Sequence, residues 1–141
     1  MKILMVHAEY FKHSLEEAGS LTEANSEMHS TLLENVLVVF ITVERDDKNL
    51  SFLSTKACDE ITNLFRRIRA SNIALCPYLY LSKRPAPIAE TIKVTEMIEK
   101  RIKERGIAVH KVPYRVEFLI KPYVHSLSES IKTIDVEHTI M

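Results

Sequence analysis

The residues of this chain best able to do chemistry are scattered rather than assembled. Six histidines stand at 7, 13, 29, 110, 125 and 138, and none is spaced from another as metal ligands are. His7 closes the first apolar run, where an imidazole suits either a catalytic base or a hydrogen-bonded structural role. Cys58 and Cys76 are isolated, without a C-x-x-C pair, so they read as reduced thiols in or near a core. Ser82 has no base beside it in sequence, which favours a turn or cap residue over a nucleophile. With Gly19 and Gly106 as the only glycines, neither a phosphate-cradling loop nor a dinucleotide fingerprint can be built.

One stretch does gather functional side chains. In "LCPYLYLSKRPAP", residues 75–87, two tyrosines, Lys83 and Arg84 follow a proline that ends an apolar run. Tyr78 and Tyr80 could stack on a base or sugar, or pack on the core as alternate residues of a strand end. Lys83, Arg84 and Lys121 could contact phosphates or stand as solvated charges. The stretch therefore supplies a candidate binding rim without a catalytic constellation.

The elements around it can be read from periodicity. "KILMVHA" and "VLVVFITVE" are apolar runs suited to strands, the second a central one, while the segment between them, Phe11 to Glu34, has no clear pattern. Leu53, Ala57, Ile61, Leu64, Phe65 and Ile68 recur three or four apart and define an amphipathic helix, with Ser51 or Ser54 available as N-cap and Asp59 and Glu60 in its early turns. "NIALCPY" follows as a short strand ended by Pro77. Pro85 and Pro87 open a second helix whose Ile88, Ile92, Thr95, Ile98 and Ile102 share a face and which stops at Gly106. Further strands are expected in "AVHKVPYRVEFLIKPYVH", interrupted at Pro113 and Pro122, and in "SESIKTI". This order predicts an α/β or α+β fold in which two helices cover a mixed sheet.

Length and composition agree with one domain over 1–141. The 46% apolar and 27% charged content is that of a globular chain. Its longest apolar run is too short to span a bilayer and its N-terminus lacks a signal-peptide pattern, so a soluble cytoplasmic protein with no membrane association is expected. Net charge is zero, but residues 1–50 hold four Lys/Arg against nine Asp/Glu (4 − 9 = −5) and residues 51–141 hold fifteen against ten (15 − 10 = +5). That polarity suits an anionic partner such as RNA, or ordinary solvated helix faces.

Taken in order, "MKILMVHAEY", "VLVVFITVER", "CPYLYLS", "IKERGIAVHKVPY" and "HSLSESIKTI" resemble the N-terminal editing domain of archaeal-type threonyl-tRNA synthetases, a relative of the D-aminoacyl-tRNA deacylase fold. The resemblance covers nearly the whole chain. It implies hydrolysis of serine wrongly attached to threonine tRNA by a homodimeric domain acting in cis or in trans with the rest of the synthetase, without metal or organic cofactor. It also implies a substrate pocket built from His7, Val43, Pro77, Tyr78, Leu79, Tyr80 and Tyr114, with Val43 facing the turn from a neighbouring strand. Lys121 and Glu129 would be the catalytic pair, with Glu129 near the adenosine. Family members often carry histidine where Tyr80 stands, alanine where Leu79 stands, and a lysine that falls on Val116 or near Lys121 according to where the gap is placed. Alternatives are a catalytically silent tRNA-binding or structural domain of the synthetase, a D-aminoacyl-tRNA deacylase, and a small ferredoxin-like regulatory module.

Overall fold

The computed structural model describes residues 1–14 and 30–124 and the backbone of 132–135. Its strands are β1 (Lys2–Ser14), β2 (Ser30–Thr42), β3 (Asn72–Pro77), β4 (Val109–Lys111), β5 (Glu117–Pro122) and β6 (Lys132–Asp135). Helix α1 (Leu50–Ile68) joins β2 to β3, and α2 (Ile88–Glu104) joins β3 to β4.

They form one mixed sheet in the order β4-β3-β2-β1-β5, with β6 also paired to β1. Each parallel pair, β2 with β3 and β3 with β4, is connected through a helix, as a parallel crossover requires. β1 runs antiparallel to β2 along its length, and its other edge is shared by β6 at Lys2–Met5 and β5 at Ala8–Ser14. The α+β reading of the sequence is the fold observed.

Successive side chains of a strand point to opposite faces, and here both faces are apolar. Ile3, Met5, Leu37, Val39, Ile41, Ile73 and Leu75 pack under the two helices. Leu4, Val6, Ala8, Val36, Val38, Phe40, Ala74 and Cys76 face the other way, with Val112, Val116 and Ile120 against them. That double burial explains why β1 and β2 read as unbroken apolar runs rather than alternating ones.

Local details depart from the sequence reading in three places. The N-cap of α1 is Asn49, not Ser51 or Ser54: Asn49 is left-handed (φ 54°) and its side chain accepts from Phe52 N–H, a conformation asparagine tolerates well. Ser54 is instead buried inside the helix, donating to the Leu50 carbonyl, and Asp59 lies mid-helix, paired with Arg105 at 2.7 Å. The buried face of α2 is Thr91, Val94, Thr95, Ile98 and Ile102, with Ile88 and Ile92 only half-buried. The Thr91 hydroxyl accepts from Val43 N–H at 3.0 Å, which turns that threonine inward. Gly106 takes φ 77° just past α2, and its N–H donates to Lys103, as expected of a C-terminal stop.

Candidate functional site

The turn after β3 is fixed to β2 through its main chain. Tyr78 N–H donates to the Ile41 carbonyl at 2.8 Å, and the Tyr78 carbonyl accepts from the buried Thr42 hydroxyl at 2.7 Å. Both backbone polar groups of Tyr78 are thus held by one strand end. Its ring meets Phe40 edge-on at 5.4 Å and Tyr80 at 5.3 Å, while Tyr80 itself is 78% exposed. The aromatic series continues inward from Phe40 to Phe118 and Phe11, at 5.7 and 5.5 Å. Such tilted and edge-on contacts suit ring quadrupoles and make a rigid wall ending in an open tyrosine.

The opposite wall comes from the chain after β4. Val112 N–H donates to the Leu75 carbonyl at 2.8 Å, anchoring "VPYRV" over the sheet. Arg115 then adopts φ 64°, a left-handed conformation uncommon for a side chain of its size, and its guanidinium carbon lies 5.7 Å from the Tyr114 ring centre. Between the two walls is a cavity of about 150 Å³, lined by Phe40, Cys76, Pro77, Tyr78, Tyr80 and the 112–118 segment. A wider cleft of about 830 Å³ adjoins it, sharing Tyr114 and Arg115 and bounded by Leu79, Pro85, Pro87, Ile88 and Arg45.

The structure therefore brings together Pro77, Tyr78, Tyr80 and Tyr114, with Leu79 on the neighbouring cleft. It does not bring the other described residues of the expected site to them. Val43 is fully buried in the helix-side core, and its neighbour Thr42 makes the contact with the turn. His7 pairs with Leu37, whose side chain lies under the helices, so the imidazole is on the face opposite the tyrosines. There its Nε2 lies 2.7 Å from the Asn35 side-chain oxygen, and Asn35 in turn donates to Arg69 and Ser71. Lys121 neighbours Ile120, which belongs to the aromatic face, so it points the other way, 3.2 Å from Glu9. Glu129 lies outside the described residues.

Titration behaviour adds constraints. Burial pushes the Cys76 thiol far above its usual range, so the sulfur at the cavity wall stays protonated at neutral pH. Burial works against ionisation of Glu44, but hydrogen bonds from Ser82 and the Met1 amino group outweigh it and hold the carboxyl below its ordinary value. The Ser82 hydroxyl, donating to Glu44 at 2.7 Å and accepting from Arg84 N–H at 3.0 Å, ties the turn rather than facing the cavity. Among the described residues no group of three or more His, Cys, Asp or Glu is placed to hold a metal ion. None of their helices is long and apolar enough to cross a membrane.

Sequence reasoning missed Thr42, Phe40, Phe118 and Arg115 at this site. Only a register places Thr42 beside the turn, and only the backbone angle of Arg115 aims it there; neither leaves a local signal.

Fold and cavity describe an α+β domain with a small aromatic pocket at a strand end, and comparison with known proteins gives its class. Residues 1–134 match the archaea-specific editing domain of threonyl-tRNA synthetase, and the chain belongs to that family. It is 34% identical over 137 residues to a threonine–tRNA ligase of Thermofilum pendens, covering 95% of this chain and 22% of that one. It is 31% identical over 136 residues to the threonine–tRNA ligase editing subunit of Saccharolobus solfataricus, covering 95% of this chain and 34% of the relative. The chain thus spans about a fifth to a third of these relatives. Among solved structures, a c-Myc DNA unwinding element binding protein superposes with a TM-score of 0.59 at 6% identity, over 96% of this chain and 98% of that one, a likeness of fold alone.

Proposed function

We propose that this domain removes serine from threonine tRNA, with the cavity between the Tyr78–Leu81 turn and the 112–118 segment receiving the seryl end of the aminoacylated terminal adenosine. The observation that carries the reading is the convergence of Pro77, Tyr78, Tyr80 and Tyr114 on one cavity in a chain of the editing-domain family. A cavity of about 150 Å³ is below the usual range of small-molecule sites, which suits a fragment the size of an amino acid. Excluding threonine asks such a pocket to sense one methyl group by shape.

In the reaction a water oxygen bonds to the ester carbonyl carbon, the bond from that carbon to the ribose oxygen breaks, and the ribose oxygen takes a proton. Free serine and tRNA leave. Positioning of the water and stabilisation of the oxyanion fall to main-chain groups, tyrosine hydroxyls and a tRNA ribose hydroxyl, since the thiol of Cys76 is neutral and Lys121 and His7 point away. The domain works in the cytoplasm as a homodimer, in cis or in trans with the rest of the synthetase.

A second reading is binding without turnover, favoured by the engagement of Lys121 with Glu9 instead of the cavity. Single-turnover deacylation by the 141-residue chain separates the two, using seryl- and threonyl-tRNA for threonine, with a D-aminoacyl-tRNA as control. Loss of serine alone supports editing. Persistence of all three esters supports the silent domain, and loss of the D-aminoacyl ester alone would make the chain a D-aminoacyl-tRNA deacylase.

A further inference from the structure

We propose that the wider cleft seats the phosphodiester immediately preceding the terminal nucleotide of the RNA, clamped between Arg45 and Arg115. This rests on the reading that the smaller cavity holds the acyl end of that terminal nucleotide.

Three observations carry it. Tyr114 and Arg115 line both cavities, so a chain leaving the tyrosine pocket passes directly into the cleft. The cleft wall is otherwise Leu79, Pro85, Ala86, Pro87 and Ile88, an apolar surface that accepts the face of a base but offers nothing to a charge. Arg45 and Arg115 are its two charged residues.

Their availability is the decisive point. Of the neighbouring cations, Arg84 pairs with Asp46 at 3.4 Å, Lys111 with Glu96 at 2.9 Å and Lys121 with Glu9 at 3.2 Å, while the exposed Lys83 lines a separate depression with Glu44 and Ser82. Arg45 and Arg115 are exposed and make no ion pair with a carboxylate among the described residues. Arg115 lies at the boundary between the cavities, lining both, with its guanidinium carbon 5.7 Å from the Tyr114 ring centre. A guanidinium recognises a phosphate through paired N–H donors, so two of them at one cleft fit a single anionic linkage better than a neutral ligand.

The test uses the 141-residue chain and two acceptor-stem RNAs with single-stranded 3′ ends, one natural and one with an uncharged methylphosphonate at the last linkage. Affinity is read by fluorescence anisotropy for the wild type, R45A, R115A and the double variant. We expect the methylphosphonate to weaken wild-type binding about tenfold, the double variant to bind natural RNA about tenfold more weakly, and its methylphosphonate penalty to vanish. The salt dependence of the double variant should be shallower by about the slope of one phosphate contact. An equal penalty in wild type and double variant, no penalty in the wild type, or no RNA binding by the wild type overturns the clamp. Binding of a phosphate-free, non-hydrolysable 3′-serylamino-adenosine tests the pocket separately: its retention by R45A, whose side chain lines the cleft and not the pocket, alongside a reduced penalty, locates that arginine on the phosphate. If no protein binds the nucleoside, the failure belongs to the pocket reading instead.

Discussion

The Thr42 hydroxyl donates to the main-chain oxygen of Tyr78 at 2.7 Å, tying the last residue of β2 to the first residue beyond β3. The donor is fully buried, so no water can replace it at that oxygen without rearrangement. Thr42→Val keeps the shape and removes the donor. We expect a loss of about 1–2 kcal/mol in stability and a several-fold fall in seryl-tRNA deacylation, because the freed carbonyl loosens the turn carrying both tyrosines. Urea unfolding and single-turnover kinetics on the same preparation check it. Unchanged values in both would mean that the turn holds its shape without β2.

Tyr80 and Tyr78 should separate stability from binding. Tyr80 is 78% exposed, so Tyr80→Ala should change stability by no more than about 0.5 kcal/mol. If its ring stacks on the terminal base, affinity for a 3′-serylamino-adenosine should fall by about 1–3 kcal/mol. Tyr78→Ala, which removes the ring between Phe40 and Tyr80, should lower both. Calorimetric titration with thermal unfolding distinguishes them, and an undiminished affinity in Tyr80→Ala would take that ring out of the site.

Lys121→Ala should leave single-turnover deacylation within about twofold of wild type. The side chain lies on the sheet face away from the cavity, and its exposed pairing with Glu9 contributes little to stability. A hundredfold loss would put Lys121 at the substrate and require β5 to rearrange on binding.

Stability should fall as the medium is acidified from pH 7 toward 5, in part through His13. Burial depresses its affinity for protons below the ordinary value of 6.5, and the nearby His110 depresses it further. The unfolded chain therefore binds a proton that the folded chain refuses. Stability from this source is present above pH 6.5 and is lost as pH drops through that value toward the lower folded pKa. His13→Phe should flatten this part of the profile in urea unfolding followed against pH, whereas an unchanged slope would assign the acid sensitivity elsewhere.

Both cysteines should resist a thiol reagent at pH 7.5 in the folded protein and react once it is unfolded. Burial raises both thiols, and neither side chain reaches solvent appreciably. Rapid labelling of Cys76 without unfolding would show that the cavity wall opens.

Helices and the succession of elements along the chain were legible because their signals are local, whereas the order of strands in the sheet was not. Ile61 and Leu64 fall on a helical face, Pro77 ends a ladder and Gly106 ends a helix, each readable from a few neighbouring residues. Strand lengths were not: β1 continues through "EYFKHS" to Ser14, where Phe11 and His13 turn inward while Tyr10 and Lys12 turn out, a pattern too polar on one side to stand out. The tyrosine turn was legible as an exposed aromatic cluster after a proline. Its partners were not, since Thr42 and Arg115 reach it through strand register and a left-handed backbone angle that no short window of sequence encodes. Likewise Val43 and Thr42 differ only in which side of the sheet they occupy, so a one-residue offset decides which of them touches the site.

The sheet separates a helix-packed layer from an aromatic layer, and this has a consequence for how such a pocket can change. Residues that hold the helices down, such as Ile61 and Ile98, share no side-chain surface with Tyr80 or Tyr114. Substitutions at the rim can therefore retune which acyl group is accepted while the opposite layer keeps the chain folded. At the exposed rim, as at Tyr80, selection can act on recognition with little effect on the fold, whereas Phe40, Cys76 and Val112 line the pocket and belong to a core at once.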